Sequence, residues 1–396
     1  PVSPVSPSAT PARSSASVAR PRLVAVVVTR DRRAQLAVTL GALLAVPPEV
    51  LTGVVVLDNA SGDGTAELLA AQTDPRLHVV RSPGNLGGAG GFARAMAEAG
   101  AQFDPDWLVL MDDDARPDPG TLERFVAAPR TRAQAWAAAV RQPDGRICEM
   151  NRPWINPFAS GRALWRTLRR GRAGFHLGDA AHMGETQLPV DGASFVGLFL
   201  SREAVQRGGL PEARLFLYGD DVLYALRLGA VGVRMRFDPA LRFAHDCATL
   251  ALPRRLTPLW KAYYFHRNQV LVYRQAAGPV LVWPVLVLRL ALWLARAPAY
   301  GPETRAYLGL LARALHDGLR GRLDRPPAGV PRPETVPEAS MTPDLSHAKG
   351  FAPRATAPSA APAPTDGTGA SATGQRPAKP APAGSAAAPR GTPDRR

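Results

Sequence analysis

Short apolar runs recur along the first third of the chain, each followed by a stretch with helical spacing. Leu23–Thr29 (LVAVVVT) is rich in β-branched residues, as expected of a strand buried on both faces. Charged residues and a helical pattern follow it to about Leu44. The unit then repeats: a strand at 54–57 with a helix from Thr65 to Ala71, a strand at 77–80 with a helix over 89–99, and a strand at 107–111. This alternation predicts a mostly parallel sheet with helices on both faces, whose ligands bind beyond the carboxyl ends of the strands. Thr29-Arg30, Asp58-Asn59 and Asp112-Asp113-Asp114 all fall at those ends.

Residues 130–190 break the pattern. They are rich in Arg and Trp, are interrupted by Gly and Pro, and read as a long connection able to cover a site. Order returns with a strand over 195–200, a helix opened by Asp220, a strand over 233–237 and a short strand ending at His245. The apolar stretch at 280–295 is shorter than the roughly 20 residues of a membrane span and contains Pro284 and Arg289. It reads as a helix lying on a membrane or packed on the domain. Residues 303–323 read as an amphipathic helix.

Composition changes the picture at the ends. Residues 1–21 and 325–396 are dominated by Pro, Ala, Ser, Gly and Thr, with too little apolar surface to offset the entropy of ordering them. The expected organisation is therefore a disordered segment at 1–21, a catalytic domain at 22–250 with a variable region at 130–190, a basic helical extension at 251–324 and a disordered tail. The formal charge of +15 is segregated. Residues 130–174 and residues 250–324 each carry a net +8, while residues 23–129 and 175–249 together carry −8. An acidic half suits a site built from carboxylates, and basic stretches suit anionic partners. With only Cys148 and Cys247, and no apolar leader in residues 1–20, the chain is expected to be cytoplasmic.

Four constellations can carry chemistry. Three adjacent carboxylates at 112–114 are costly to hold together unless a cation neutralises them, and alternate residues let Asp112 and Asp114 share one Mg²⁺ or Mn²⁺; a solvated acidic turn is the alternative. The glycine-rich stretch from Asn85 to Arg94 lets backbone N–H groups approach an anion, with Arg94 placed to pair with phosphate, or else serves close packing. Asp220-Asp221 at a helix start supply either a general base or a favourable charge for the helix dipole. His245, at a strand end, is either structural or completes a metal site.

Together these elements resemble bacterial family-two glycosyltransferases of the GT-A fold, most closely the galactofuranosyl- and rhamnosyl-transferase branch. The resembling residues are VVVTRDR (26–32), VVVLDNASGDGT (54–65), NLGGAGGFARAM (85–96), VLMDDDARPDPGTL (109–122), FLYGDDVLYALRLGAVG (216–232), FAHD (243–246) and YYFHRNQVLVYR (263–274). The resemblance covers residues 22–275. It implies that Thr29, Arg30, Asp58 and Asn59 hold a nucleotide base and ribose. Asn85, Gly87, Gly90 and Arg94 line the nucleotide or diphosphate, and Asp113 joins the nucleotide-sugar contacts. Asp112 and Asp114 match the family's D-x-D, with His245 as third ligand to Mn²⁺ or Mg²⁺. Asp221 matches the general base, with Asp220 beside it. The family often has a further acid two residues after this pair, where this chain has Leu223.

The expected reaction is an inverting transfer of a sugar from a nucleotide diphosphate to a hydroxyl of a glycan or polyprenyl-diphosphate-linked acceptor, at the inner face of the cell membrane. UDP-galactofuranose is the favoured donor and dTDP-rhamnose the next. A nucleotidyltransferase on the same sheet is the competing enzyme class. A basic nucleic-acid-binding protein is the non-enzymatic one, but the chain has no aromatic-and-basic recognition motif and nucleic acid is not an expected partner.

Overall fold

The computed structural model describes residues 20–246, 255–324, 326–332 and 351. Apart from these residues, the expected disordered ends lie outside the described part. Within the 325–396 stretch, Val330 and Phe351 are buried, and Phe351 packs its ring over Gly100 of a helix.

The chain begins β1 (Leu23–Thr29), α1 (Arg33–Leu44), β2 (Gly53–Asp58), α2 (Thr65–Ala70), β3 (Leu77–Arg81), α3 (Gly87–Phe103), β4 (Trp107–Asp112). These four strands are parallel, in the spatial order β3-β2-β1-β4. Successive side chains of β1 and β2 face opposite sides. Val24, Val26, Val55 and Leu57 pack with Phe92 and Met96 of α3, whereas Val27, Val54 and Val56 pack with Leu36 and Leu40 of α1. Register sets Thr29 opposite Asp58 and Val28 opposite Asp112, so one edge of the sheet gathers the strand-end polar residues.

The second half follows as β5 (Ala115–Pro117), α4 (Thr121–Ala127), β6 (Ala135–Arg141), α5 (Gly161–Arg170), α6 (Asp179–Met183), β7 (Leu188–Val190), β8 (Leu198–Ser201), α7 (Arg202–Gly208), α8 (Asp220–Ala230), β9 (Met235–His245), α9 (Lys261–Ala295) and α10 (Thr304–Arg320). The sheet continues β4-β8-β6-β9-β5, with β7 also on β9. Strand β8 runs antiparallel to both neighbours, and β5 and β7 run antiparallel to β9. The result is the mostly parallel sheet flanked by helices that the sequence predicts, with a helical C-terminal extension.

Three expectations change. The 130–190 region is not merely a connection, because β6 within it is a central strand between β8 and β9. The strands expected at 233–237 and 243–245 are one strand, β9, whose pairing with β6 shifts register between Ala138 and Ala139. The 280–295 stretch is the second part of α9. That helix breaks at Gly278 (φ 71°), and Pro279 opens the next segment, where its missing N–H costs nothing. By length and composition α9 is long and apolar enough to cross a membrane, with a mean hydropathy of 1.8 over its apolar window. After the break, Val282, Leu286 and Trp293 pack with Tyr307 and Leu311 of α10, while Val280, Trp283, Val287 and Leu288 are exposed.

Candidate active site

Asp112 ends β4, and the chain turns through Asp113 and Asp114 into β5. Because β5 pairs antiparallel with the end of β9, Ala115 sits opposite His245, and the Asp246 N–H donates to the Asp114 carbonyl at 2.9 Å. This local pairing delivers His245 Nε2 to 3.0 Å from Asp114 Oδ1. Ligand atoms of Asp112, Asp114 and His245 lie within 4.8 Å of one another. Two carboxylates and one imidazole form a set that suits Mn²⁺ or Mg²⁺ at a sheet edge. A cationic side chain already serves the cluster: Arg32 pairs with Asp114 and stands 3.6 Å from Asp113 Oδ1.

Charge and burial oppose each other here. Burial pushes the Asp112 carboxyl above the usual range, with the neighbouring Asp114 adding to the shift. Burial likewise raises Asp113 to about 7. Burial would raise Asp114 too, but the His245 hydrogen bond and the His245 and Arg32 charges outweigh it and hold Asp114 low. His245 is raised, since its bond to Asp114 and the Asp112 and Asp114 charges outweigh the cost of burying an imidazolium. Asp113 turns aside from the three-residue set and faces Arg32, and its carbonyl accepts from Thr39 Oγ1 at 2.8 Å.

Beyond β2 and β3 lies a cavity of about 400 Å³ lined by Ala60, Ser61, Arg81, Ser82 and Pro83. Thr29 and Asp58 are buried at its side of the sheet edge. Asp58 Oδ1 accepts from the Ser61 N–H at 2.9 Å, while the buried Oδ2 has no hydrogen-bond partner and lies 3.9 Å from Arg81 Nε. A buried carboxylate oxygen without a hydrogen bond is costly unless a ligand supplies one. Arg30 does not join this group, because its guanidinium is exposed and pairs with the adjacent Asp31 at 3.3 Å.

The glycine-rich stretch serves close packing. Gly87 has φ +69°, and a Cβ there would stand 2.1 Å from the Phe216 carbonyl oxygen. A Cβ on Gly90 would meet Leu86 at 2.9 Å. Asn85 Oδ1 accepts from the Gly87 N–H, and Asn59 accepts from Leu86 N–H and donates to the Gly87 carbonyl, so both asparagines shape this turn. Arg94 lies about 10 Å along the helix from Gly87, because α3 starts earlier than its pattern predicts. It points along the helix to Glu98, 3.8 Å away, rather than to the sheet edge.

The turn that Gly87 touches leads to the acid pair. Phe216 (φ 66°) and Tyr218 (φ 68°) are left-handed, and Gly219 (φ 73°) precedes Asp220 and Asp221 at the start of α8. A non-glycine residue in that region costs about 1–3 kcal/mol and persists only when its surroundings hold it. The holders come from α9. Asn268 Nδ2 donates to the carbonyls of Leu215, Leu217 and Tyr218 at 3.0, 2.7 and 2.9 Å. Fully buried Arg267 donates to the Arg214, Leu215 and Leu323 carbonyls and to Asn268 Oδ1. Asp220 and Asp221 are both raised by burial, Asp220 also by the Asp221 charge, and both are near enough to Asp112 to feel its charge.

The structure thus gathers Asp112, Asp114 and His245 with Arg32 at one edge, sets Thr29, Asp58 and Asn59 beside them, and leaves Arg30 and Arg94 outside. Arg32, Arg81, Arg267 and Asn268 were not among the residues that sequence reasoning selected. Arg32, Arg267 and Asn268 do fall inside the resembling segments, which is the signal that could have found them.

The sequence model described as glycosyl transferase family 2 matches residues 24–180. Galactofuranosyltransferase GlfT1 of Mycolicibacterium smegmatis is 32% identical over 229 residues, covering 57% of this chain and 71% of that protein. The N-acetylglucosaminyl-diphospho-decaprenol L-rhamnosyltransferase of Mycobacterium tuberculosis is 26% identical over 226 residues, covering 52% of this chain and 70% of that protein. Among solved structures, the mannosyltransferase PcManGT from Pyrobaculum calidifontis, in complex with GDP-Man and Mn²⁺, is 21% identical and covers 85% of this chain and 87% of that one, with a TM-score of 0.43. An acidic strand-end edge on this sheet, and kinship reaching across most of a galactofuranosyltransferase, make the chain a glycosyltransferase belonging to glycosyl transferase family 2.

Proposed function

We propose that the chain transfers a sugar, galactofuranose first and rhamnose second, from a nucleoside diphosphate to a hydroxyl of a lipid-linked glycan, with inversion and with Mn²⁺ or Mg²⁺. The observation that carries this reading is the meeting of Asp112, Asp114 and His245 within 4.8 Å, with Asp221 close enough to feel the Asp112 charge. The choice of galactofuranose follows the relatives, GlfT1 at 32% identity against 26% for the rhamnosyltransferase.

Thr29, Asp58 and the cavity between Ser61 and Arg81 receive the nucleoside. Asp58 Oδ2, without a hydrogen-bond donor among the described residues, supplies an acceptor, and Arg81 a cationic wall. Asp112, Asp114 and His245 would hold the divalent cation, which supplies positive charge beside the departing diphosphate. The acceptor oxygen forms its bond to the anomeric carbon as the bond to the diphosphate breaks, and its proton passes to the Asp221 carboxylate. Attack opposite the leaving group inverts the configuration.

The test offers UDP-galactofuranose, dTDP-rhamnose and common UDP- and GDP-sugars with Mn²⁺, with Mg²⁺ and with chelator. Turnover of one donor, lost with chelator and giving inverted product, is the expected result. Retained configuration, or turnover indifferent to chelator, would overturn the mechanism.

The acceptor side rests on the second segment of α9, where Val280 and Val287 are 76% and 71% exposed within a basic extension. Apolar side chains flanked by Arg suit the cytoplasmic face of an anionic membrane, where each basic residue contributes about 1 kcal/mol. Trp283→Ser with Val287→Asp is expected to reduce co-sedimentation with phosphatidylglycerol vesicles. Unchanged sedimentation would remove the membrane from the reading.

A further inference from the structure

We propose that Asn151 is a positioning residue for the cation site, orienting the His245 ring so that Nδ1 donates to the Asn151 amide oxygen and Nε2 faces Asp112 and Asp114. The inference rests on the metal-dependent reading above and adds to it a residue from the 130–190 region.

An imidazole can ligate through Nε2 only if the remaining ring proton sits on Nδ1, so the partner of Nδ1 decides whether the ligand is ready. In this structure that partner is Asn151 Oδ1, 2.8 Å away. Cys148 Sγ lies farther off, at 3.9 Å from the same nitrogen. An amide oxygen accepts and cannot donate, so Nδ1 donates to Asn151, while Nε2 stands 3.0 Å from Asp114 Oδ1 on the carboxylate side of the ring. The other end of the amide is engaged as well, with Nδ2 donating to Ser194 Oγ at 2.7 Å. Asn151 and His245 are 4% and 3% exposed, so solvent does not compete for either group.

The backbone explains why Asn151 stays there. The Cys148 N–H donates to the Val140 carbonyl at the end of β6, and the Asn151 N–H closes a tight turn onto the Cys148 carbonyl. Three residues later, Trp154 pairs with Gly192, whose absent side chain leaves room for the indole. The same segment then supplies Ser194. Asn151 is thus suspended between a central strand and the connection into β8, opposite the Asp114 side of the imidazole ring.

The test measures Mn²⁺ affinity directly, by electron paramagnetic resonance of the free ion, without donor or turnover. Asn151→Leu keeps the volume but removes the acceptor, and is expected to weaken Mn²⁺ binding about 10–100-fold, the usual effect of losing such a partner. Asn151→Asp retains an acceptor oxygen and is expected to bind Mn²⁺ as tightly as the unsubstituted protein or more tightly. Ser194→Ala leaves Asn151 in place and is expected to give a smaller loss, which keeps the idea testable if Asn151→Leu fails to fold. ¹⁵N spectra of the Mg²⁺-loaded protein should show His245 protonated at Nδ1, identified by its absence in His245→Ala. Equal affinity for Asn151→Leu and the unsubstituted protein would overturn the proposal, as would Asn151→Asp binding as weakly as Asn151→Leu. If the unsubstituted protein binds no Mn²⁺, the metal-dependent reading itself fails, and this proposal with it.

Discussion

Asp221→Asn is expected to lower kcat by about 10²–10⁴-fold while leaving Mn²⁺ and donor affinity within a few-fold, because it removes only the group that accepts the acceptor proton. The carboxylate sits at the first turn of α8 and one of its oxygens accepts from the Val222 N–H at 2.7 Å, so an amide of the same shape fits without displacing the helix. Its pH behaviour gives a second signature. Burial raises the Asp221 carboxyl in the folded protein, and a base must be ionised to work. The acid limb of kcat is therefore expected above the ordinary carboxylate range and should disappear in the variant. Stability runs the other way: a group raised on folding favours the native state at low pH and costs stability as pH rises through its folded value. Asp221→Asn should thus melt no lower than the parent at pH 8. A variant that keeps its kcat would remove Asp221 from the chemistry, and one that loses kcat only by unfolding would make it structural.

The second large effect is expected far from the reacting atoms. Asn268→Leu leaves the carbonyls of Leu215, Leu217 and Tyr218 without their shared donor and Arg267 Nε without its acceptor. Each buried group left unpaired costs about 1–3 kcal/mol. The turn they hold contains two left-handed aromatic residues and ends at the acid pair, so relaxation of that turn moves Asp221. A displacement near 1 Å can cost about 10²-fold in rate. The expected result is a lower melting temperature together with a kcat loss of about that size, with Mn²⁺ affinity unchanged because Asp112, Asp114 and His245 belong to other elements. A variant that melts lower but turns over normally would show that the acid pair does not depend on this support.

These supports mark the limit of what the sequence discloses. The first four strands are legible because β-branched runs alternate with helical spacing, and Asp112, Asp114 and His245 are legible as polar groups at strand ends. Strand β6 is not, since AWAAAVR is mostly alanine, a residue with helical rather than β preference, and only burial between β8 and β9 makes it a strand. The two pieces of β9 read as separate because Asp238-Pro239 interrupts them, whereas the fold absorbs that interruption as an irregularity in pairing. The glycine at 87 is ambiguous by itself; what crowds it is the Phe216 carbonyl, more than 120 residues away in sequence. Arg94 stands farther along α3 than its pattern predicts, because helical phase alone cannot say where α3 begins. The contacts of Asn151 with His245 and of Arg267 with the 214–215 carbonyls join segments far apart in sequence, which no local pattern encodes.

Arg32 gives the acidic edge a resident counter-charge. Three adjacent aspartates at one sheet edge repel one another where they are ionised, and Arg32, between β1 and α1, lies against Asp113 and Asp114. A divalent ion held by Asp112, Asp114 and His245 would add to positive charge that Arg32 already brings to this edge. With this counter-charge in place, folding of the scaffold does not need an added cation, and the melting temperature is expected to change little on addition of chelator.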